Sequence, residues 1–240
     1  MSRVATAARG VGILAVVLCA GAPLAIQAEL LGPEPGFRLF GASLLLGLLA
    51  LILGLIGVVR TRVATGRGGR GRAVLGASLG FAVVAVILVL AAPTGDLPII
   101  NDISTDLDDP PAFRAALGLP GNAGRDMSYP AEFRGPQREG YPDLAPLVLD
   151  TPAPATLDRV ADLARGFGWT ITARDDETGT LEATETSRVF RFVDDIVVRV
   201  RPADEGSLVD VRSKSRVGRG DLGANAARIR RLLEALDTAG

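Results

Sequence analysis

The segment Leu208–Arg230 reads LVDVRSKSRVGRGDLGANAARIR in one-letter code. Its first part alternates apolar and polar residues and predicts a β-strand, while the apolar spacing of its last part predicts an α-helix. Between the two, Gly218–Gly223 matches the G-x-G-x-x-G pattern that binds dinucleotides when it joins a strand to a helix. The stretch also contains the only lysine of the chain, Lys214.

The dinucleotide interpretation needs a second parallel strand after the helix and an acidic residue about 20 positions further on. Only 17 residues follow Gly223, so we expect neither this βαβ unit nor NAD binding. Gly218 and Gly220 instead allow a sharp turn from strand to helix. Asp221 is the predicted N-cap, with its carboxylate on the free amides of the first helical turn. The glycine pattern therefore predicts a structural joint.

The residue types that are missing exclude several chemistries. The 240 residues include no histidine, which excludes a histidine general base, a Ser-His-Asp triad and histidine metal ligands. The single cysteine, Cys19, lies in an apolar run, where a thiol packs as a small hydrophobe. A disulfide or a cysteine zinc site within one chain is therefore excluded. We expect no cofactor.

The remaining catalytic patterns are weak. Ser213 and Ser215 flank Lys214, but neighbours on a strand point to opposite faces, so neither serine reaches the lysine within that strand. The pair Asp194-Asp195 is predicted to lie at a turn, where carboxylates accept local hydrogen bonds. We therefore predict no catalytic residue.

A calcium loop is a further candidate. Asp102, Ser104 and Asp106 occupy the first three ligand positions of an EF-hand, but Leu107 and Phe113 stand where glycine and glutamate are required. The EF-hand interpretation fails. An irregular calcium site stays open beside the simpler alternative, in which these carboxylates cap turns or meet arginines.

Three apolar runs, at residues 11–31, 39–59 and 73–92, each approach the ~20 residues that cross a bilayer. The second and third runs contain no charged residue, so we predict that they span a membrane. Arg3 and Arg9 before the first run would also suit a signal peptide. The length of the run and its poor cleavage site favour an uncleaved helix, so residues 1–93 are predicted to form three transmembrane helices.

Charge sets the predicted orientation. Residues 1–93 carry a formal charge of +6 and residues 94–240 carry −7. Five arginines lie between the second and third runs, and the positive-inside rule places that loop in the cytoplasm. The N-terminus is then inside and the acidic C-terminal part outside. The five arginines are Arg60, Arg62, Arg67, Arg70 and Arg72.

Small residues recur along one face of the second helix at spacings of four and three, and such a face lets another helix approach closely. The third helix offers the pairs Ala73/Ala77 and Gly76/Gly80. This pattern predicts tight packing within a hairpin or, alternatively, a homo-oligomer through both faces. The second helix contributes Ser43, Gly47, Ala50, Gly54 and Gly57.

The C-terminal part divides at about residue 152. Residues 94–152 are rich in proline, glycine and aspartate, and we expect an ordered arm anchored by its aromatic residues, with disorder as the alternative. Residues 153–240 are predicted to form an α+β domain, in which a four-stranded antiparallel sheet carries two helices on one face. The predicted order is a helix from about Pro154, strands at 169–174, 181–186, 196–201 and 208–216, and a helix at about 222–236.

The strand parity predicts a two-faced sheet. Ile196, Val198 and Val200 share a face with Val209 and Val211, which we expect to meet the helices. The opposite side is basic, and it is either a solvated face with cross-strand ion pairs or a surface for an anionic partner. The residues of this candidate surface, with the adjoining loop, are Arg199, Arg201, Arg212, Lys214, Arg216 and Arg219.

Several short motifs occur together in the C-terminal part, in an order that resembles the bacterial and plastid family called domain of unknown function 1499. The likeness covers about residues 98–237 and implies a domain boundary, without an activity or catalytic residues. The motifs are Asn101–Thr105, Tyr141–Asp143, Phe190–Phe192, Asp194-Asp195, Asp210–Gly218 and Asp221–Asn225.

Two functions of different class follow. The first is an integral membrane protein that presents a non-catalytic extracytoplasmic domain to an envelope protein or an anionic lipid. The second is an enzyme or sensor that holds an anionic small molecule on the basic sheet face and glycine loop. The lipid bilayer is a partner in both, and we expect no nucleic acid partner. The missing catalytic groups favour the first function.

Overall fold

The computed structural model describes residues 2–61, 68–90 and 97–238. The chain divides into two compact units. The helical unit comprises Met1–Ala92 with Arg188–Arg191, and the sheet unit comprises Pro93–Ser187 with Phe192–Gly240.

The helical unit contains three long helices, α1 (Arg3–Gln27), α2 (Pro33–Arg60) and α3 (Arg70–Leu90). All three are long and apolar enough to cross a membrane. Each begins several residues before its predicted run, because the helix continues through polar flanking residues that hydropathy alone leaves out. Residues 91–92 of the third run, and two of the five loop arginines, Arg62 and Arg67, lie outside the described residues.

The small residues of α2 and α3 pack against each other within the chain. A Cβ atom added to Gly54 would lie 2.6 Å from the amide nitrogen of Ala77, and one added to Gly57 would lie 2.8 Å from the Cβ of Ala73. These distances are below normal contact, so larger side chains would force the helices apart. The contacts agree with packing inside the hairpin, while self-association through these faces stays a prediction.

The sheet unit is an antiparallel sheet with helices, as the sequence predicts. Strands β3, β4, β5 and β6 follow one another as a meander, and β1 and β2 both pair with the outer edge of β6. The strands are β1 (Asp102–Ser104), β2 (Leu147–Leu149), β3 (Thr170–Asp175), β4 (Thr180–Thr186), β5 (Val193–Ala203) and β6 (Gly206–Ser215). The helices are α4 (Arg134–Gly140), α5 (Ala153–Gly166) and α6 (Ala224–Asp237).

The prediction of four strands is wrong, because the sheet has six. Both additional strands come from the arm. In β1, Asp102 pairs with Lys214, and in β2, Val148 pairs with Leu208, so the two strands share the long edge of β6. Each has only three residues, which is too short for an alternating pattern to be visible in the sequence.

Helices α5 and α6 cover one face of the sheet and bury its apolar side. Val198 and Val211 of the sheet share a core with Val160 of α5 and Leu232 of α6, and all four are fully buried. The predicted apolar face of α6 is wrong at its first position. Leu222 is 72% exposed because its φ of +54° places it in a turn before the helix begins.

The arm, residues 97–152 of the described chain, is ordered and covers the other face of the sheet. Phe113 and Met127 are buried with Val197, whose side chain points away from the helix-covered core. Tyr141 and Phe133 pack instead with the main core. Aromatic residues therefore anchor the arm, as the sequence predicts.

Candidate functional site

The basic side of the sheet, which carried the predicted site, lies beneath the arm. We call it the arm-covered face. Arg212 is 2% exposed and Lys214 is 6% exposed. The prediction that these two residues line an accessible surface is therefore wrong, because strand parity shows the direction of a side chain and not whether another segment covers it.

Asp102 of β1 is the partner of both buried cations. Its Oδ1 accepts from Arg212 Nε at 2.9 Å, and its Oδ2 accepts from Arg212 Nη2 at 2.7 Å and from Lys214 Nζ at 2.8 Å. Asp102 itself has no exposed surface. Its place opposite Lys214 in the β1–β6 register explains the geometry, since the short strand delivers one carboxylate to two neighbouring cations. The bidentate arginine geometry is the strongest form of this pairing.

Arg212 also holds the arm in place. Its Nη1 donates to the Pro111 carbonyl at 3.1 Å, and its Nη2 donates to the Met127 carbonyl at 2.9 Å. The guanidinium lies 4.8 Å from the centre of the Phe113 ring and 5.5 Å from that of Tyr129. A single side chain thus satisfies two arm carbonyls and contacts two aromatic rings, which is a structural role.

A tyrosine–glutamine pair continues this network. The Tyr129 hydroxyl donates to Gln137 Oε1 at 2.9 Å, and Gln137 bonds both the amide and the carbonyl of Ser104. Burial, together with the negative charge of Asp102, raises the pKa of Tyr129 well above its ordinary value. The phenol therefore stays neutral and acts as a hydrogen-bond donor.

Two further carboxylates fasten the arm. Asp195 accepts from Arg216 Nε at 2.9 Å and Nη2 at 2.7 Å, and from Asn122 Nδ2 at 2.9 Å. Glu182, which is 3% exposed, accepts the backbone amides of residues 114, 115 and 116 at 2.7–2.8 Å. The prediction that Asp194 and Asp195 lie at a turn is wrong, since both residues sit within β5.

The other predicted site residues are more accessible. The side chains of Arg199 and Arg201 are 19% and 39% exposed, and both pair with Asp210, at 3.0 and 2.7 Å. Asp106 lies 3.6 Å from each of the two arginines. Arg216, at 16% side-chain exposure, is held by Asp195. The proposed calcium ligands Asp102 and Asp106 thus meet cations of the protein, as in the simpler alternative.

The glycine loop, residues 217–223, is a joint between β6 and α6. Asp221 accepts from the amide of Gly223 at 2.9 Å and from that of Asn225, in the first turn of α6, at 2.7 Å. The prediction that Asp221 is the N-cap is wrong, because Gly223, at φ +83°, occupies that position. The predicted contact of its carboxylate with an amide of the first helical turn is present. Arg219 is exposed at the tip of the loop.

Comparison with known families settles where this unit belongs. The model of the family described as protein of unknown function (DUF1499) matches residues 102–236. The chain belongs to this family. No curated protein matches it in sequence.

The DUF1499 domain contains a second network of buried ion pairs, which the sequence does not predict. Arg228 of α6 bonds Asp194 at 2.6 Å and also bonds Glu185, while Ser213 and Asn225 complete the network. Burial raises the pKa of Asp194 despite this arginine, whereas two arginines lower the pKa of Glu185 against the effect of its own burial. The apolar spacing of α6 gave no signal for Arg228, since an arginine on a helix is usually exposed.

A cleft of about 350 Å³ opens within the arm of the DUF1499 domain. Its polar lining includes Asp106, Asp108 and Arg138, and Gln137 and Tyr141 form part of its wall. Within the described residues, no group of three or more histidine, cysteine, aspartate or glutamate residues could hold a metal ion. The cleft therefore offers charge and hydrogen bonds to a partner, and its residues can recognise both signs of charge.

Proposed function

We propose that this protein is an integral membrane protein whose DUF1499 domain is a non-catalytic binding module for an envelope protein. Three helices long and apolar enough to cross a membrane support the first part. The second part rests on the arm-covered face, where Arg212 and Lys214 are buried and both donate hydrogen bonds to the buried Asp102 carboxylate. Groups held in this way stabilise a shape and are unavailable to a substrate.

The same observation counts against an enzyme or sensor that holds an anionic small molecule on the basic sheet face. Such a ligand would have to displace the arm and break the bidentate Arg212–Asp102 pair. Breaking a buried pair costs about 3–5 kcal/mol, which a small anion would have to recover in new contacts.

For orientation we propose the bacterial cytoplasmic membrane, with the N-terminus inside and the DUF1499 domain outside. The support is the arginine-rich connection between α2 and α3 and the acidic sequence after α3. Protease treatment of spheroplasts tests this directly. Cleavage within residues 100–240 is expected without lysis, and full protection of these residues would overturn the orientation.

The cleft is the surface we assign to the envelope partner. Arg138 is exposed at its lining, and Asp106 and Asp108 contribute the opposite charge. Protein partners use such rims of mixed charge for orientation and specificity. Asp102, Arg212 and Lys214 are not part of the cleft lining, so binding there leaves their buried pairs intact.

Photo-crosslinking in intact cells tests this assignment. A photoreactive amino acid at position 138 is expected to give a discrete crosslinked protein band, and Asp108→Arg in the same chain is expected to weaken it. The matched control is position 162 on α5, where the Asp162 side chain is 78% exposed. Equal bands from both positions, or a band insensitive to Asp108→Arg, would contradict a partner at the cleft.

A further inference from the structure

A cluster of exposed apolar side chains surrounds the glycine loop. Five large apolar side chains are exposed among the described residues of the sheet unit, and three of them belong to this cluster. Ile99 is 79% exposed, Leu222 is 72% exposed and Val217 is 44% exposed. We call these three residues, together with Arg219, the loop patch.

The backbone holds the loop patch together. The Asn101 side chain donates to the Gly218 carbonyl at 2.5 Å, and the amide of Asp221 donates to the Ile100 carbonyl at 3.3 Å. A Cβ atom added to Gly220 would lie 3.2 Å from Cγ2 of Ile99. The segment that contains Ile99 therefore runs beside the loop, and the loop presents its apolar residues from a fixed backbone.

Nothing in the fold of the sheet unit requires this exposure. Leu222 has a φ of +54°, a conformation that is costly for a residue other than glycine, and its side chain points to solvent. The apolar side of α6 reaches the core through other residues, among them Ile229 and Leu232. Several large apolar side chains exposed around one loop, beside a cation, are typical of an interaction surface.

The patch lies close in sequence to the third membrane-length helix. Ile99 lies nine residues after Leu90, where α3 ends. A chain of nine residues spans at most roughly 31 Å, so Ile99 stays within that distance of the end of α3. Among the described ion pairs none involves Arg219, which leaves this cation free for a lipid phosphate.

We propose that the loop patch docks on the anionic lipid headgroup layer of the membrane that holds the helices. Ile99, Val217 and Leu222 enter the interface, and Arg219 binds lipid phosphate. This inference rests on the membrane placement proposed above. It does not depend on the cleft, since the two surfaces use different residues.

The test uses the full chain reconstituted in vesicles of phosphatidylcholine and phosphatidylglycerol, with Cys19→Ser as the background. An environment-sensitive fluorophore is placed at Leu222→Cys, and lipids spin-labelled at the headgroup serve as quenchers. The matched control is Val148→Cys, because Val148 is 62% exposed and pairs with Leu208. Ser215 follows Leu208 by seven positions, which is roughly 23 Å along β6.

Quenching is expected at position 222 and not at position 148. Arg219→Gln is expected to lower the ratio of docked to undocked domain about fivefold in anionic vesicles, and to have no effect in pure phosphatidylcholine. Equal quenching at the two positions would overturn the proposal. So would shielding of position 222 that grows with protein density without lipid quenching, because a second copy would then cover the patch. Alkaline extraction of the same vesicles reports separately whether the helices span the membrane.

Discussion

Neighbouring residues of the same strands enter opposite environments in the DUF1499 domain. On the helix-covered face, Val198 and Val211 pack against aliphatic side chains of α5 and α6. One position along, Val197 and Arg212 enter the arm-covered face, where the main partner of Arg212 is a carboxylate. Both faces are buried, yet one is held by apolar area and the other by directed ion pairs.

The difference concerns how each face tolerates change. Apolar packing is distributed over many contacts, so losing one side chain leaves a cavity that its neighbours can partly fill. A buried ion pair is concentrated in a few atoms, and losing one partner leaves a charge without solvent or counterion. A single substitution is therefore expected to lower the unfolding free energy more on the arm-covered face than on the helix-covered face.

Asp102→Asn is expected to have the largest effect. It leaves Arg212 and Lys214 buried without their shared carboxylate, which costs about 3–5 kcal/mol of unfolding free energy. Trp169 is the only tryptophan and is buried in the core, so its fluorescence reports unfolding of this domain in mild detergent. Asp158→Asn is the control, because its ion pair with Arg174 is exposed and such pairs contribute about 0.2–1 kcal/mol. A similar loss in both variants would remove the proposed contrast.

The sequence predicts one of the two faces well. The helix-covered face could be derived because β5 and β6 are long enough to show alternation, and α5 and α6 carry apolar stripes. The order of α5, the four-stranded meander and α6 follows from the same signals. The cover of the arm-covered face could not be derived, because Asp102 and Arg212 are 110 positions apart and β1 has three residues.

The candidate site shows the same limit. Arg212 and Lys214 could be placed on one side of β6 from parity alone, but their burial depends on an irregular arm whose path no periodicity reports. Leu222 illustrates the converse. Its spacing fits the apolar stripe of α6, but its positive φ, which is a feature of the backbone, removes it from the helix.

Leu232→Ala tests the helix-covered face and is expected to have the second largest effect. Leu232 is fully buried, and truncating a core leucine costs about 3 kcal/mol through lost contacts and the residual cavity. The same tryptophan-monitored unfolding measures it. Leu117→Ala is the control, since Leu117 is 56% exposed. If Leu232→Ala destabilises the domain more than Asp102→Asn, the arm-covered face is the less critical of the two.

Glu185→Gln is expected to have the smallest effect. It tests the ion pairs that lie at one end of the helix-covered face. Glu185 accepts from Arg228 and, at 2.9 Å, from Arg231, and its side chain is 22% exposed. Losing these charge-assisted bonds costs about 1–2 kcal/mol at neutral pH. Glu177→Gln in the exposed β3–β4 turn is the control, with no comparable loss expected.

The pH dependence separates this charge effect from lost packing. Burial alone would raise the pKa of Glu185, but its two arginines outweigh burial and lower it below the ordinary 4.5. A lowered folded-state pKa gives stability that is present above 4.5 and lost as the pH falls through the folded value. The difference in unfolding free energy between wild type and Glu185→Gln should therefore shrink as the pH falls below 4.5. Asp194 bonds the same arginine, but its pKa is raised in the folded state. Its effect on stability therefore has the opposite pH dependence and is lost as the pH rises. A difference that stays constant with pH would mean that Glu185 acts through shape, and the helix-covered face would then be held by packing throughout.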